Sequence, residues 1–178
     1  LCRQRQMCIR DRSFTRGSCT GYEIYRLSGK KYKKIAVGGT FDKFHDGHKK
    51  LLATAFELGE EVEIGVTSNA FGGLKGDIDS CEDRMRCLKE FFKDRLNYTV
   101  MVLDDAYGTT VFDDEFDAIV VSEETEPVAV EINEIRDSKG MSLLDIVVVS
   151  FVLADDGHPI SSTRIRSGEI NKKGNILK

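Results

Sequence analysis

The chain has 178 residues, 40% of them hydrophobic, with a formal net charge of −4. This length suits one globular domain that buries about two-thirds of its unfolded-chain surface, and no apolar run approaches the roughly 20 residues that a membrane-crossing helix needs. The charge is uneven. Residues 1–34 hold ten Lys and Arg against two Asp and Glu, and the remainder sixteen against 28, a net of −12. Such a balance repels a nucleic-acid backbone, so a small anionic ligand must be held by a few well-placed groups.

The N-terminus is arginine-rich without the apolar core of a secretory signal. The five cysteines (Cys2, Cys8, Cys19, Cys81, Cys87) never form a CxxC pair, which points to reduced thiols in a cytoplasmic protein rather than to a zinc or redox centre. Residues 1–31 lack helical or strand periodicity apart from a short candidate strand at Tyr22–Leu27. Met7–Asp11 also matches one translated frame of a sequencing-library adaptor, so 1–31 is expected to be poorly ordered or non-native. The domain is assigned to residues 32–178.

From Lys33 onward, short apolar runs alternate with longer amphipathic segments, the pattern of a parallel sheet with crossover helices. Ile35–Val37 is the first predicted strand, ending in Gly38-Gly39-Thr40. A helix follows from Gly47 to Leu58, with Leu51, Leu52, Ala55 and Phe56 on its buried side, and Gly59 stops it. Val62–Val66 is the second strand. Ala70–Gly76 has the glycine-rich composition of a mobile loop. A helix over Ser80–Arg95 follows, with Ser80 as its N-cap, and Tyr98–Leu103 is the third strand. An acidic link leads to the fourth strand at Ala118–Val121, a helix over Glu126–Ser138, and the fifth strand at Ile146–Leu153. The last helix begins at Ser161 or Ser162, with Gly168 in its C-cap region. The expected fold is α/β: a single Rossmann-like, doubly wound domain of about five parallel strands with flanking helices. Ligands of such sheets bind at the carboxyl ends of the strands.

Two of the three histidines follow the first strand, in Gly38-Gly39-Thr40-Phe41-Asp42-Lys43-Phe44-His45-Asp46-Gly47-His48. Three residues make almost one helical turn, so His45 and His48 both face a point beside the free N–H groups and positive dipole end of the helix start. That point suits a phosphate. Gly47 leaves room for a base or ribose against the turn, and Thr40 offers a hydroxyl and an N–H. Taken alone, the pair also fits a capping or core role, or half a metal site with Asp42 and Asp46. No further His or Cys completes a zinc site, and the turn does not open GxGxxG.

Far along the chain, Ile160-Ser161-Ser162-Thr163-Arg164-Ile165-Arg166 sets three hydroxyl residues at a helix start, followed by two arginines. Hydroxyls and backbone N–H groups suit phosphate oxygens, and Arg166 adds a cationic fork. As a bare string it is also an ordinary N-cap.

Together the two strings resemble the HxGH and ISSTxIR motifs of the nucleotidyltransferase superfamily. Within it, Ile64–Ser68, Tyr107–Thr110 and above all Ser122-Glu123-Glu124-Thr125 resemble the archaeal and eukaryotic type of phosphopantetheine adenylyltransferase. The likeness runs from about Lys33 to Leu177. It departs at Asn69, where the family has Asp, at Asp79-Ser80, where it has Pro-Tyr, and in a shorter link between Lys75 and Ile78.

The resemblance implies attack of the phosphate of 4′-phosphopantetheine on the α-phosphorus of ATP, giving dephospho-CoA and pyrophosphate. A phosphate nucleophile is already ionised, so positioning and transition-state stabilisation suffice. It assigns His48, Lys75 and Thr40 to catalysis. Gly38, Gly39, Thr40, His45, Gly47, His48, Ser161, Ser162, Thr163 and Arg166 would bind ATP, and Thr40, Asp42, Lys75 and Arg84 the acceptor. Mg²⁺ would arrive with ATP, and no protein metal site is expected. The family likeness leans towards a monomer. Alternatives within the class transfer to nicotinamide mononucleotide, FMN or glycerol phosphate; outside it stands a relative that binds nucleotide without turnover.

Overall fold

Strand residues alternate between two apolar surfaces, because successive side chains point to opposite sides of a sheet. In the computed structural model, which describes residues 7–8, 31–73 and 77–177, both surfaces are covered. The candidate strand at Tyr22–Leu27 lies outside the described residues. The elements, in chain order, are β1 (Met7–Cys8), β2 (Tyr32–Gly39), α1 (Asp46–Leu58), β3 (Gly59–Thr67), α2 (Asn69–Gly72), α3 (Cys81–Phe91), β4 (Tyr98–Leu103), a 3₁₀ turn (Gly108–Val111), β5 (Ala118–Ser122), α4 (Glu126–Ser138), β6 (Asp145–Val149) and α5 (Ser162–Arg166).

All pairings are parallel and the strand order is β1-β6-β5-β2-β3-β4. The five strands from residue 32 onward thus form a doubly wound Rossmann-like sheet, and winding reverses between β2 and β5. On one face Ile35, Val37, Val62, Ile64 and Val120 pack against Leu52, Ala55 and Phe56 of α1 and Leu88 of α3. On the other, Ala36, Ile119 and Val121 meet Ala129 and Ile132 of α4 and Val111 of the 3₁₀ turn. A small third cluster of Ala154, Ile160 and Ile170 seats the segment after β6.

Three sequence expectations are corrected. The fifth strand ends at Val149 rather than Leu153, because β5 ends at Ser122, the register partner of Val149, and offers nothing further to pair with. Leu153 instead bridges antiparallel to Pro159. The glycine-rich stretch begins as helical turn α2, whose N-cap Ser68 accepts the Phe71 N–H at 3.2 Å. Gly72 permits this, since a Cβ there would lie 2.8 Å from Thr67 Oγ1. Helix α3 stops at Phe91, where Phe92 leaves helical geometry and buries its ring beside Phe56, centroids 4.8 Å apart.

Candidate active site at the strand ends

A cavity of about 360 Å³ opens where the winding reverses, at the carboxyl ends of β2, β5 and β6. The end of β2 contributes Gly38 through Asp42, and the start of α1 adds His45, Gly47, His48 and Leu51. Ser122, Glu124 and Thr125 come from the end of β5, and Val149–Val152 from the end of β6. The second motif contributes Ser161, Ser162, Thr163 and Arg166, so residues as far apart as Asp42 and Ser162, 120 positions along the chain, form two walls of one site.

His45 is 5% exposed and stacks on His48 with centroids 3.7 Å apart and planes at 23°. The His45 backbone N–H donates to His48 Nδ1 at 3.4 Å, which leaves the ring proton of a neutral His48 on Nε2. Phe41 meets His48 edge-on at 5.3 Å, and Phe44 lies parallel to it at 6.0 Å. Two polar atoms in this wall are shut off from solvent without a well-formed hydrogen bond among the described residues, Thr40 Oγ1 and His45 Nδ1; for hydrogen bonding the His45 side chain meets only the His48 backbone N–H, in the capping box of α1. Buried polar atoms are normally paired, so this pair of vacancies suits a polar ligand.

Burial pushes the His45 imidazole down to about 4 from the usual 6.5, outweighing the opposite pull of Asp46 and Asp42. His45 is therefore neutral at pH 7. Between pH 4 and 6.5 the unfolded chain binds a proton that the folded chain refuses, so stability falls as pH drops through this window and is level on this account above it. The expected loss across the window is about 3 kcal/mol. Denaturant unfolding of the protein and of His45→Asn between pH 4 and 7 measures it; an equal slope in both excludes His45 as the source.

Gly47 lines the cavity and is also crowded from within the protein. The side chain of His45 fills the space above it, and an added Cβ would lie 3.0 Å from His45 Cε1 and 3.1 Å from Nδ1. Gly47→Ala is accordingly expected to displace the His45 ring and weaken ATP binding by roughly tenfold, with a loss of stability of about 1 kcal/mol. Calorimetric titration with ATP and thermal unfolding check the two parts.

Asp42, 1% exposed, joins the two motifs. Its carboxylate pairs with Arg166 Nη1 and accepts the Asp79 N–H at 3.1 Å, and its backbone carbonyl accepts the Ser162 hydroxyl at 2.7 Å. Arg166 Nη2 donates to Thr163 Oγ1 at 3.1 Å. Ser161 caps α5, its Oγ accepting the Arg164 N–H at 3.3 Å. Ser161 and Thr163 therefore keep hydroxyl protons to donate, whereas that of Ser162 is committed to Asp42.

Arg84 does not line the cavity. It is 2% exposed, and its guanidinium donates to the carbonyls of Asp79 (2.8 Å), Thr40 (2.7 Å) and Thr67 (2.8 Å) and to Thr67 Oγ1 (3.2 Å). Lys75 lies outside the described residues. The departures from the family pattern have structural uses. Asn69 Oδ1 accepts the Cys81 N–H at 2.6 Å, Ser80 caps α3, and Asp79 pairs with Lys43 at 2.6 Å, which holds the Asp79 carboxyl below its usual range.

The site reasoning from sequence did not include Ser122, Glu124, Thr125 or the apolar wall of Val149, Phe151, Val152 and Ile160. The rule that ligands sit at strand ends was a usable signal for both groups. A smaller recess beside Gly38 is lined by Glu63, Gly65, Leu103, Tyr107 and Thr109. Among the described residues no three His, Cys, Asp or Glu side chains converge in a metal-holding group, and no helix there is long and apolar enough to cross a membrane.

Residues 36–168 match the cytidylyltransferase-like family model. Phosphopantetheine adenylyltransferase from Methanothermobacter thermautotrophicus is 58% identical over 151 residues, covering 84% of this chain and 92% of that one. The enzyme of the same name from Methanopyrus kandleri is 49% identical over 148 residues, covering 80% and 93%. Among solved structures, an Archaeoglobus fulgidus protein described as of unknown function superimposes with a TM-score of 0.61 at 32% identity, over 66% of this chain and 98% of that one.

Proposed function

Since the chain belongs to the cytidylyltransferase-like family and, within it, to the phosphopantetheine adenylyltransferases, we propose that the strand-end cavity is where it transfers the adenylyl group of ATP to 4′-phosphopantetheine. The products are dephospho-CoA and pyrophosphate, a step of coenzyme A biosynthesis. The observation that carries the location is the pair of buried polar atoms without a well-formed hydrogen bond, Thr40 Oγ1 and His45 Nδ1, in a wall shared with His48 and Arg166.

The acceptor phosphate oxygen attacks the α-phosphorus as the bond to the β-phosphate oxygen breaks, and pyrophosphate leaves with that oxygen. No base is required, because the nucleophile is already ionised. His48 donates from Nε2 to an α-phosphate oxygen, and gains strength as charge builds on the five-coordinate phosphorus. Neutral His45, with Ser161 and Thr163, binds the triphosphate, and Arg166 takes its β- and γ-phosphates. Ser162 fastens the second motif to the first through Asp42. Thr40 orients the incoming phosphate, and the recess beside Gly38, where Glu63, Tyr107, Thr109 and Thr110 stand among apolar side chains, receives the start of the acceptor's arm. Adenine packs on the apolar wall from β6.

Mg²⁺ enters with ATP and neutralises triphosphate charge. The carboxylate of Asp42 is engaged by Arg166 and the Asp79 N–H, which favours an ion carried by the nucleotide over one held by the protein. We read the protein as a cytoplasmic monomer without a nucleic-acid partner, on the family likeness and on the net charge of −12 beyond residue 34.

Pyrophosphate release from purified protein with ATP or CTP and a panel of phosphorylated acceptors tests the reading. Turnover is expected with ATP and 4′-phosphopantetheine. Turnover with nicotinamide mononucleotide, FMN or glycerol phosphate instead would overturn the acceptor, and tight ATP binding without turnover would overturn the activity.

A further inference from the structure

Two residues that follow β2 hold backbone conformations that side chains rarely adopt: Phe41 at φ +54° and Lys43 at φ +53°. Neither is glycine, so the surrounding structure must hold the strain. The Phe41 φ angle turns about the bond that follows the Thr40–Phe41 peptide. The carbonyl of that peptide is held by Arg84 Nη1 at 2.7 Å.

The remaining bonds of Arg84 lock the same region. Nη2 binds the Thr67 carbonyl at the end of β3, Nη1 also binds Thr67 Oγ1, and Nε binds the Asp79 carbonyl just before α3. One rigid guanidinium, almost wholly buried, therefore ties the ends of two neighbouring strands and the approach to α3. Among the described residues it forms no ion pair. Its acceptors diverge, and only a planar fork with five N–H groups reaches all of them. Immediately in front of it stands Thr40, whose hydroxyl oxygen is buried and unpartnered at the cavity.

We propose that Arg84 is a positioning residue for adenylyl transfer: it fixes the Thr40–Phe41 peptide so that the Thr40 hydroxyl faces the reacting phosphate, and does not itself touch the acceptor. This rests on the function proposed above.

A double-mutant cycle tests it. Arg84→Lys keeps the charge and loses the fork, and Thr40→Val removes the hydroxyl at nearly constant shape. Arg84→Lys is expected to lower kcat/KM at least tenfold in the natural background and less than twofold in the Thr40→Val background, because both changes disable one device. An equal loss in both backgrounds with a raised KM for 4′-phosphopantetheine would mean direct contact and would overturn the proposal. Unchanged kcat/KM with a lowered Tm would overturn it as well, by leaving only a structural role. Thr67→Val, which removes one acceptor of Nη1, is the milder variant if Arg84→Lys does not fold; it should show the same coupling with a smaller loss. The cycle is also run on ATP affinity by calorimetry. Absence of turnover in the natural protein would then sink the proposed activity, while additive losses of ATP affinity would sink the role of Arg84.

Discussion

Replacing His48 by alanine is expected to lower kcat by at least about 100-fold while leaving the affinity for ATP nearly intact, a loss of roughly 3–4 kcal/mol confined to the transition state. The expectation follows from how the ring is held. Its Nδ1 accepts the His45 N–H, its faces are flanked by the His45 and Phe44 rings, and the edge contact with Phe41 prevents rotation. The ring is thus held before substrate arrives, and in the proposed reaction little reorganisation accompanies the chemistry. A donor held in this way gains most where negative charge grows, which is on the α-phosphate oxygens as phosphorus becomes five-coordinate. In the proposed function, triphosphate affinity is assigned to other groups, His45, Ser161, Thr163 and Arg166, which the substitution does not remove. Steady-state kinetics with both substrates, together with ATP titration, separate the effects. A rise in KM at unchanged kcat would mean that His48 binds the ground state only. His48→Gln should retain part of the rate, since an amide N–H can enter the same space at a less favourable angle.

The two motifs were legible because each packs its chemistry into a few consecutive residues beside a strand end. The doubly wound order was legible for a related reason: periodicity separates strands from helices, and right-handed crossovers leave few ways to join them. The lock between the motifs was hidden. Asp42 and Arg166 stand 124 positions apart, and nothing in either string says that a carboxylate in one neutralises a guanidinium in the other. The environment of Arg84 was hidden more deeply, because three of its four bonds go to backbone carbonyls, which every residue type carries. Sequence could flag an arginine in a helix, but not that its guanidinium is spent on the backbone behind the cavity lining. Gly47 shows a third limit. A glycine between two histidines signals crowding, and only coordinates reveal that the His45 ring itself lies where a Cβ would fall.

Removing the Asp42 carboxylate should have the second large effect, and it should appear in stability and catalysis together. Asp42→Ala leaves Arg166 without its partner and the Asp79 N–H without its acceptor. The arginine side chain retains 20% exposure against 1% for Asp42, so water reaches the stranded cation and the cost lies below the 3–5 kcal/mol typical of a fully buried pair; about 2–3 kcal/mol is expected. For a chain of this size that lowers Tm by roughly 5–10 °C. Catalysis suffers through Arg166. With Nη1 on Asp42 and Nη2 on Thr163 Oγ1, the fork is held from two sides and its remaining protons have a fixed direction. Without Asp42 it becomes a tethered cation, and KM for ATP should rise about tenfold as kcat falls less. Asp42→Asn separates the two roles, because its amide oxygen can still accept the Asp79 N–H while the charge is gone. If charge on Asp42 orients Arg166, Asp42→Asn recovers most of the lost Tm and little of the lost ATP affinity. Recovery of both would show that Asp42 acts through the Asp79 backbone alone. Tighter ATP binding in either variant would show instead that Asp42 competes with the triphosphate for Arg166, and that the pair must open on each turnover.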